Sequence, residues 1–241
     1  MFHSFHSQAA RVSPLLVAAA LTFPIWSAAT PAAAQGADCR RASGPVETAI
    51  CSTPALARLD AQVARRYAAV MGELPPQGAQ ALRRDQRAFI DARDEAGATR
   101  TGSALGEELT QRLSGRLAFL DSLRSDPLAT VVGRWRNLNG EIVINQWATG
   151  VLTFEAQTTG QAGSPWVCEA SGNGEWIGED EARFGHIDDA AAWTLNVKTE
   201  GTTLIFKEAI PNGAGSPPYC GFGGSLAGTY FQAERLPDPS R

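Results

Sequence analysis

The chain has 241 residues, with 25 Asp and Glu against 21 Lys and Arg and a formal charge of -4. That mildly acidic balance disfavours nucleic acid or an anionic membrane as partner and favours a cationic one. Its 3 histidines and 4 cysteines leave little material for imidazole or thiolate chemistry.

Residues 1–34 read as an export signal. Arg11 is the one charged side chain there, Leu15 to Ala29 are mostly apolar, and Ala32-Ala33-Ala34 supply small residues for cleavage before Gln35. The apolar stretch is short and interrupted by Pro24, so no stable membrane insertion is expected. A lipid anchor needs a small residue before Cys39, and Asp38 stands there. The expected location is periplasmic or secreted, after cleavage near residue 34. In that compartment an even number of cysteines reads as disulfides, here Cys39 with Cys51 and Cys168 with Cys220.

The remainder divides by composition. Residues 35–125 are rich in Ala, Arg, Leu, Gln and Glu, whereas 130–235 hold most of the glycine and five of the six tryptophans. Asp126-Pro127 makes a natural break, because the residue before proline is pushed out of helical geometry. The fold class expected is therefore α+β: a three-helix antiparallel bundle, then an antiparallel barrel or sandwich of about eight strands.

Pro45 to Cys51 predicts one short helical turn, stapled down by Cys39. Ser52-Thr53-Pro54 is a helix start, with a hydroxyl to cap and proline at the first helical position. Leu56, Leu59, Val63, Tyr67, Val70 and Leu74 follow at spacings of three and four, which is one apolar face. Pro75-Pro76 ends that helix. A second runs from about Gln77 to Glu95 with Leu82, Gln86, Phe89, Ile90 and Arg93 along one side. A third follows Thr101-Gly102-Ser103 and places Leu105, Leu109, Leu113, Leu117 and Leu120 on a stripe. A disulfide closing the loop from 39 to 51 stabilises so small a bundle by roughly 3 kcal/mol in the chain-entropy model.

The run Cys39, Pro45 to Cys51, Leu56-Ala57-Arg58-Leu59-Asp60, Tyr67, Gln86-Arg87-Ala88-Phe89 and Ala92-Arg93-Asp94 resembles the N-terminal domain of the LprI-type lysozyme inhibitor family, over about residues 39–123. The resemblance implies an exported helical domain of the bacterial envelope, with lysozyme as its partner. Where members carry a second cysteine pair, this chain has Ala96 and a residue near Glu108, so the second and third helices are expected to be held by packing alone. Asp60, Gln86 and Arg93 lie close to the apolar faces, where a half-buried carboxylate and guanidinium are expected to pair with each other or with backbone. A binding role would instead place Tyr67, Arg93 and Asp94 along a surface groove.

From Val131 the pattern changes to short alternating stretches: 133–137, 141–146, 151–156, 166–170, 182–186, 193–198, 203–208 and 228–232. Leu138-Asn139-Gly140 and Asn212-Gly213 are tight-turn signals between them. Cys168 lies inside one strand and Cys220 just before the last. The tail Tyr219-Cys220-Gly221, Gly224 and Gly228-Thr229-Tyr230 resembles the closing segment of small exported barrels that follow this helical domain, without implying an activity.

Catalytic chemistry is not expected. Only His186 remains after cleavage, too few for a metal site or a triad with a choice of base. Gly223-Gly224-Ser225-Leu226-Ala227 lacks the second glycine of a nucleophile elbow. Gly172-Asn173-Gly174 lacks the later glycine of a dinucleotide loop and predicts a turn. Glu179-Asp180-Glu181 with Asp188-Asp189 does not fit a calcium loop and reads as a solvated segment. No cofactor is expected. The functional expectation is a non-enzymatic envelope protein that occludes a lysozyme cleft, touching it through Glu179, Asp180 and their loop or through the bundle surface around Asp60. The alternative is a non-inhibitory module binding a glycan or small apolar ligand in or on the barrel through its tryptophans.

Overall fold

The computed structural model describes residues 36–126, 130–161, 165–185, 193–209 and 217–234. Four helices come first: α1 (Gly44–Ser52), α2 (Pro54–Glu73), α3 (Pro76–Thr99) and α4 (Gly102–Ser122). The segment expected as one turn is thus a full helix, and the bundle has four members rather than three. Val46 and Ile50 drive that difference, because both are buried against the other helices.

Local sequence sets the helix ends. Pro54 opens α2 and Pro76 opens α3, each where a missing N–H costs no hydrogen bond. Thr53 caps α2 through its backbone rather than its hydroxyl, its carbonyl accepting the Ala57 N–H at 3.0 Å. The disulfide Cys39–Cys51 ties the segment before α1 to the end of α1. Leu56, Val63, Tyr67 and Val70 of α2, Leu82 and Phe89 of α3, and Leu105, Leu109, Leu113 and Leu120 of α4 form one core. On α4 the stripe departs from expectation at one place: Leu117 is only partly buried, and Arg116 takes the inward position beside it.

Eight strands follow: β1 (Gly133–Asn137), β2 (Gly140–Gln146), β3 (Leu152–Thr159), β4 (Val167–Trp176), β5 (Glu181–Gly185), β6 (Thr194–Glu200), β7 (Thr203–Ala209) and β8 (Gly228–Glu234). Each pairs antiparallel with the next, and β1 pairs with β8, which closes the sheet into a barrel rather than a sandwich. Alternation sorts the side chains: Leu152, Phe154 and Ala156 of β3 point inward, Thr153, Glu155 and Gln157 outward. Trp135, Phe154, Phe184, Phe206 and Tyr230 fill the interior, as an eight-stranded barrel permits. The disulfide Cys168–Cys220 fastens the segment before β8 to β4.

Two turn signals resolve differently. Leu138 and Asn139 form the expected two-residue turn between β1 and β2, with Asn137 Oδ1 accepting the N–H of Asn139 at 2.9 Å and of Gly140 at 3.2 Å. Gly172-Asn173-Gly174, expected as a turn, instead lies inside β4 and pairs with Phe154, Thr153 and Leu152 of β3. Both glycines point inward, and the space a Cβ would take at Gly174 is occupied by the Phe184 ring. They are strand residues chosen to admit aromatic rings. Asn212-Gly213, like His186 and Asp188-Asp189, lies outside the described residues.

Helices and barrel share a seam. β8 has three buried residues in succession because Tyr230 faces the barrel interior while Phe231 faces out into the helical core. Phe119 of α4 meets Phe231 edge-on at 6.0 Å between ring centroids. The backbone N–H of Arg124 donates to the Gln232 carbonyl at 2.9 Å.

Candidate functional site

Of the residues expected along a surface groove, Tyr67 and Arg93 lie in the helical core, where Asp60 joins them. Arg93 Nη1 reaches Asp60 Oδ1 at 3.3 Å, and the other Asp60 oxygen accepts the Ala37 N–H at 2.7 Å. Arg93 also holds Asp94 at 2.8 Å, and Asp94 alone of this group stands at the surface. A carboxylate on α2 thus links the chain start to α3 through one guanidinium, with its charge matched at the burial site. Burial raises the Tyr67 phenol above its ordinary pKa, against the opposing pull of Arg83, Arg116 and Arg87. Glu179 and Asp180 are exposed between β4 and β5, where Asp180 lies 4.0 Å from Lys198.

A second buried network was not foreseen. Arg116 of α4, with 1% of its side chain exposed, donates from Nε to Gln86 Oε1 at 2.8 Å and from Nη1 to Asp85. Its guanidinium also lies over the rings of Phe89 and Phe119, 5.1 and 4.7 Å from their centroids. The far oxygen of Asp85 accepts the N–H of Leu138 at 2.9 Å, so the network clasps α3 and α4 to the β1–β2 turn. Arg100 bridges to Glu108 at 3.3 Å near the place of the missing cysteine pair. α3 and α4 are therefore joined by ion pairs as well as packing. One signal was available in the sequence: Arg116 falls at the position of the Leu109, Leu113, Leu120 stripe where an apolar residue belongs.

The seam opens into a cleft of about 720 Å³. Glu108, Arg112, Arg116 and Phe119 of α4 line one side, and Arg136, Gln157 and Glu169 of the barrel the other. Arg112 crosses it to the Gln161 carbonyl at 3.1 Å. Arg116 Nη2 is buried without an acceptor. A second hollow of about 450 Å³ continues over the outer face of β2, β3 and β4, sharing Glu141, Gln157 and Glu169 with the first. At the far end of that face Trp147 is 62% exposed, its indole N–H donating to Thr153 at 3.3 Å. The other tryptophans offer less: Trp135 is buried, and Trp166, Trp176 and Trp193 are half-buried.

Glu208 organises the approach to β8. Its carboxylate accepts from Tyr219 Oη at 2.9 Å, Ser225 Oγ at 2.6 Å and the Leu226 N–H at 2.7 Å. Burial, then the Glu208 charge, drives the Tyr219 pKa far above the ordinary tyrosine value. Ser225 is thereby fixed by the same carboxylate that holds Tyr219 and the Leu226 N–H. Among the described residues, no group of three or more His, Cys, Asp or Glu could hold a metal ion. No described helix is long and apolar enough to cross a membrane.

Buried ion pairs, two disulfides and a closed barrel filled by its own side chains define a braced scaffold of the α+β class. Residues 39–120 match the family model described as Lysozyme inhibitor LprI; the match covers the helical region, and the eight-stranded barrel follows it. No curated protein and no solved structure matches the chain.

Proposed function

We propose that the chain is an exported inhibitor of lysozyme that acts by occlusion. The observation that carries this reading is the match of residues 39–120 to a family described by lysozyme inhibition. Two disulfides support a life outside the reducing cytosol, and residues 1–34 have the pattern of the signal that would take it there. Occlusion asks for a surface that keeps its shape on binding, since each side chain ordered at an interface costs affinity. Acidic charge favours encounter with a cationic enzyme and raises the association rate. The chain performs no bond-making step in this reading; its work is steric.

Purified protein titrated against chicken-type, goose-type and invertebrate-type lysozymes tests the proposal. Dose-dependent loss of cell-wall lysis by at least one type is the expected result, and full activity of all three at micromolar protein refutes it. Intact-mass analysis of the exported protein checks the location, with a mature chain beginning at Gln35 expected.

A further inference from the structure

We propose that the outer face of β2, β3 and β4, running from Trp147 to the α4 cleft, is the surface that receives a cationic protein partner. This rests on the reading above that the chain binds lysozyme, and it assigns the contact to the barrel although the family match lies in the helices.

Charge is the first reason. Residues 36–126 carry 13 Arg and Lys against 12 Asp and Glu, whereas 130–234 carry 5 against 12. The net negative charge of the protein therefore belongs to the barrel. Within the helices Asp60, Asp85, Asp94, Glu108 and Asp121 each face an arginine. On the outer face Glu155 and Glu169 face none among the described residues, while nearby Glu141 is held by Arg134 and Arg136. The register sets Glu141 and Glu169 on either side of Gln157 and puts Glu155 opposite Val143. Two uncompensated carboxylates thus stand diagonally across one strand pair, a spacing of roughly 7–8 Å that suits two cations of one partner.

The second reason is independent of charge. Trp147 is exposed at one end of this face and Val167, 57% exposed, at the other, with Val143 partly exposed between. A tryptophan anchor and aliphatic contacts rimmed by polar groups are the composition of an energetic interface centre. The face also leads into the cleft lined by Glu108 and Arg112 of α4. A polypeptide supplies the complement of both features: lysine or arginine for Glu155 and Glu169, and an apolar surface for Trp147.

The test uses the full chain with two matched charge reversals. Glu155→Lys with Glu169→Lys alters the proposed face; Asp91→Lys with Glu107→Lys makes the same change in net charge on exposed helix positions. Affinity for the lysozyme that is inhibited, measured by calorimetry at physiological salt, is expected to fall at least about tenfold in the first variant and in Trp147→Ala, and less than about twofold in the second. Equal losses in both reversals, or no loss in the first, overturn the assignment. Where no lysozyme binds, amide chemical shifts are followed during titration with an octalysine peptide. Shifts confined to residues 141–173 uphold the surface while the lysozyme reading fails. Absent shifts, or shifts centred on the helices, overturn the surface as well.

Discussion

In the helical region four polar side chains, Asp60, Gln86, Arg93 and Arg116, lie in the core, and three of them are charged; in the barrel the interior is mainly aromatic and aliphatic, its buried Thr158 and Gln232 are uncharged, and most carboxylates stand outside. Helices leave this choice open because a guanidinium on one helix reaches a carboxylate on the next across the short distance between packed axes. The interior of this closed eight-stranded barrel is just wide enough for side chains to fill, and rings occupy most of it. Geometry thus decides where each region keeps its charge. The helices spend theirs on internal register, and the barrel presents its own to solvent.

The most direct way to break the comparison is to remove Arg116. Arg116→Ala leaves Asp85 in the seam without its cation and is expected to cost about 3–5 kcal/mol in urea unfolding. Arg116→Met combined with Asp85→Asn is expected to recover most of the loss, since replacing both charges removes the uncompensated one. A loss below about 1 kcal/mol for Arg116→Ala would mean that the helical core does not depend on its buried charge.

Disulfide removal sharpens the contrast. Cys168→Ser with Cys220→Ser opens the longer loop and is expected to cost about 4 kcal/mol, against about 3 for Cys39→Ser with Cys51→Ser. Hydrogen exchange under reducing conditions is expected to show faster exchange at α1 and around β4, with the α3–α4 pair protected by Asp85, Arg116 and Glu108. Early loss of protection in α3 and α4 would show that those ion pairs do not substitute for a covalent link.

Gly174→Ala sets a Cβ against the Phe184 ring and within 2.6 Å of the Arg183 carbonyl. The overpacked barrel is expected to lose about 1–3 kcal/mol by thermal unfolding. A stable variant would mean that the interior has slack.

The smallest expected effect is on alkaline stability. Burial raises the pKa of Tyr219 and of Tyr230, both in the barrel. The folded barrel therefore favours the protonated phenols, a contribution present in full below the ordinary tyrosine value of about 10 and lost progressively as pH rises above it. Urea midpoints followed from pH 8 to 11 should fall above pH 10, with a shallower fall in Tyr219→Phe. An unchanged slope in that variant would assign the effect to Tyr230 and Tyr67.

Much of the fold was legible because its patterns are local. Seven of the eight strand stretches fall within three residues of those observed, since alternation marks a half-buried strand wherever it occurs, whereas β4 runs on to Trp176 beyond the expected 166–170. The pairing of Asp60 with Arg93 was legible too, from charged residues set on apolar faces. Three features escaped. Gly172-Asn173-Gly174 looked like a turn because the rings that need its missing side chains come from β3 and β5. Arg116 falls on the α4 stripe, but its partners Asp85 and Gln86 lie about 30 residues away on α3 and meet it only in the folded chain. Glu155 and Glu169 were two acids among many, and only the register of β2, β3 and β4 set them on one face.

By itself the sequence determined the helix starts, the strand periods, the two disulfide-bonded regions and the family the helical region resembles, because each depends on residues near one another along the chain. Tertiary structure alone decided that the sheet closes, that Phe231 turns outward into the helices, that Asp85 and Arg116 clasp the β1–β2 turn, and which acids remain uncompensated. Those outcomes depend on which distant side chains share a volume of a few ångströms, and the order of residues does not encode that distance locally.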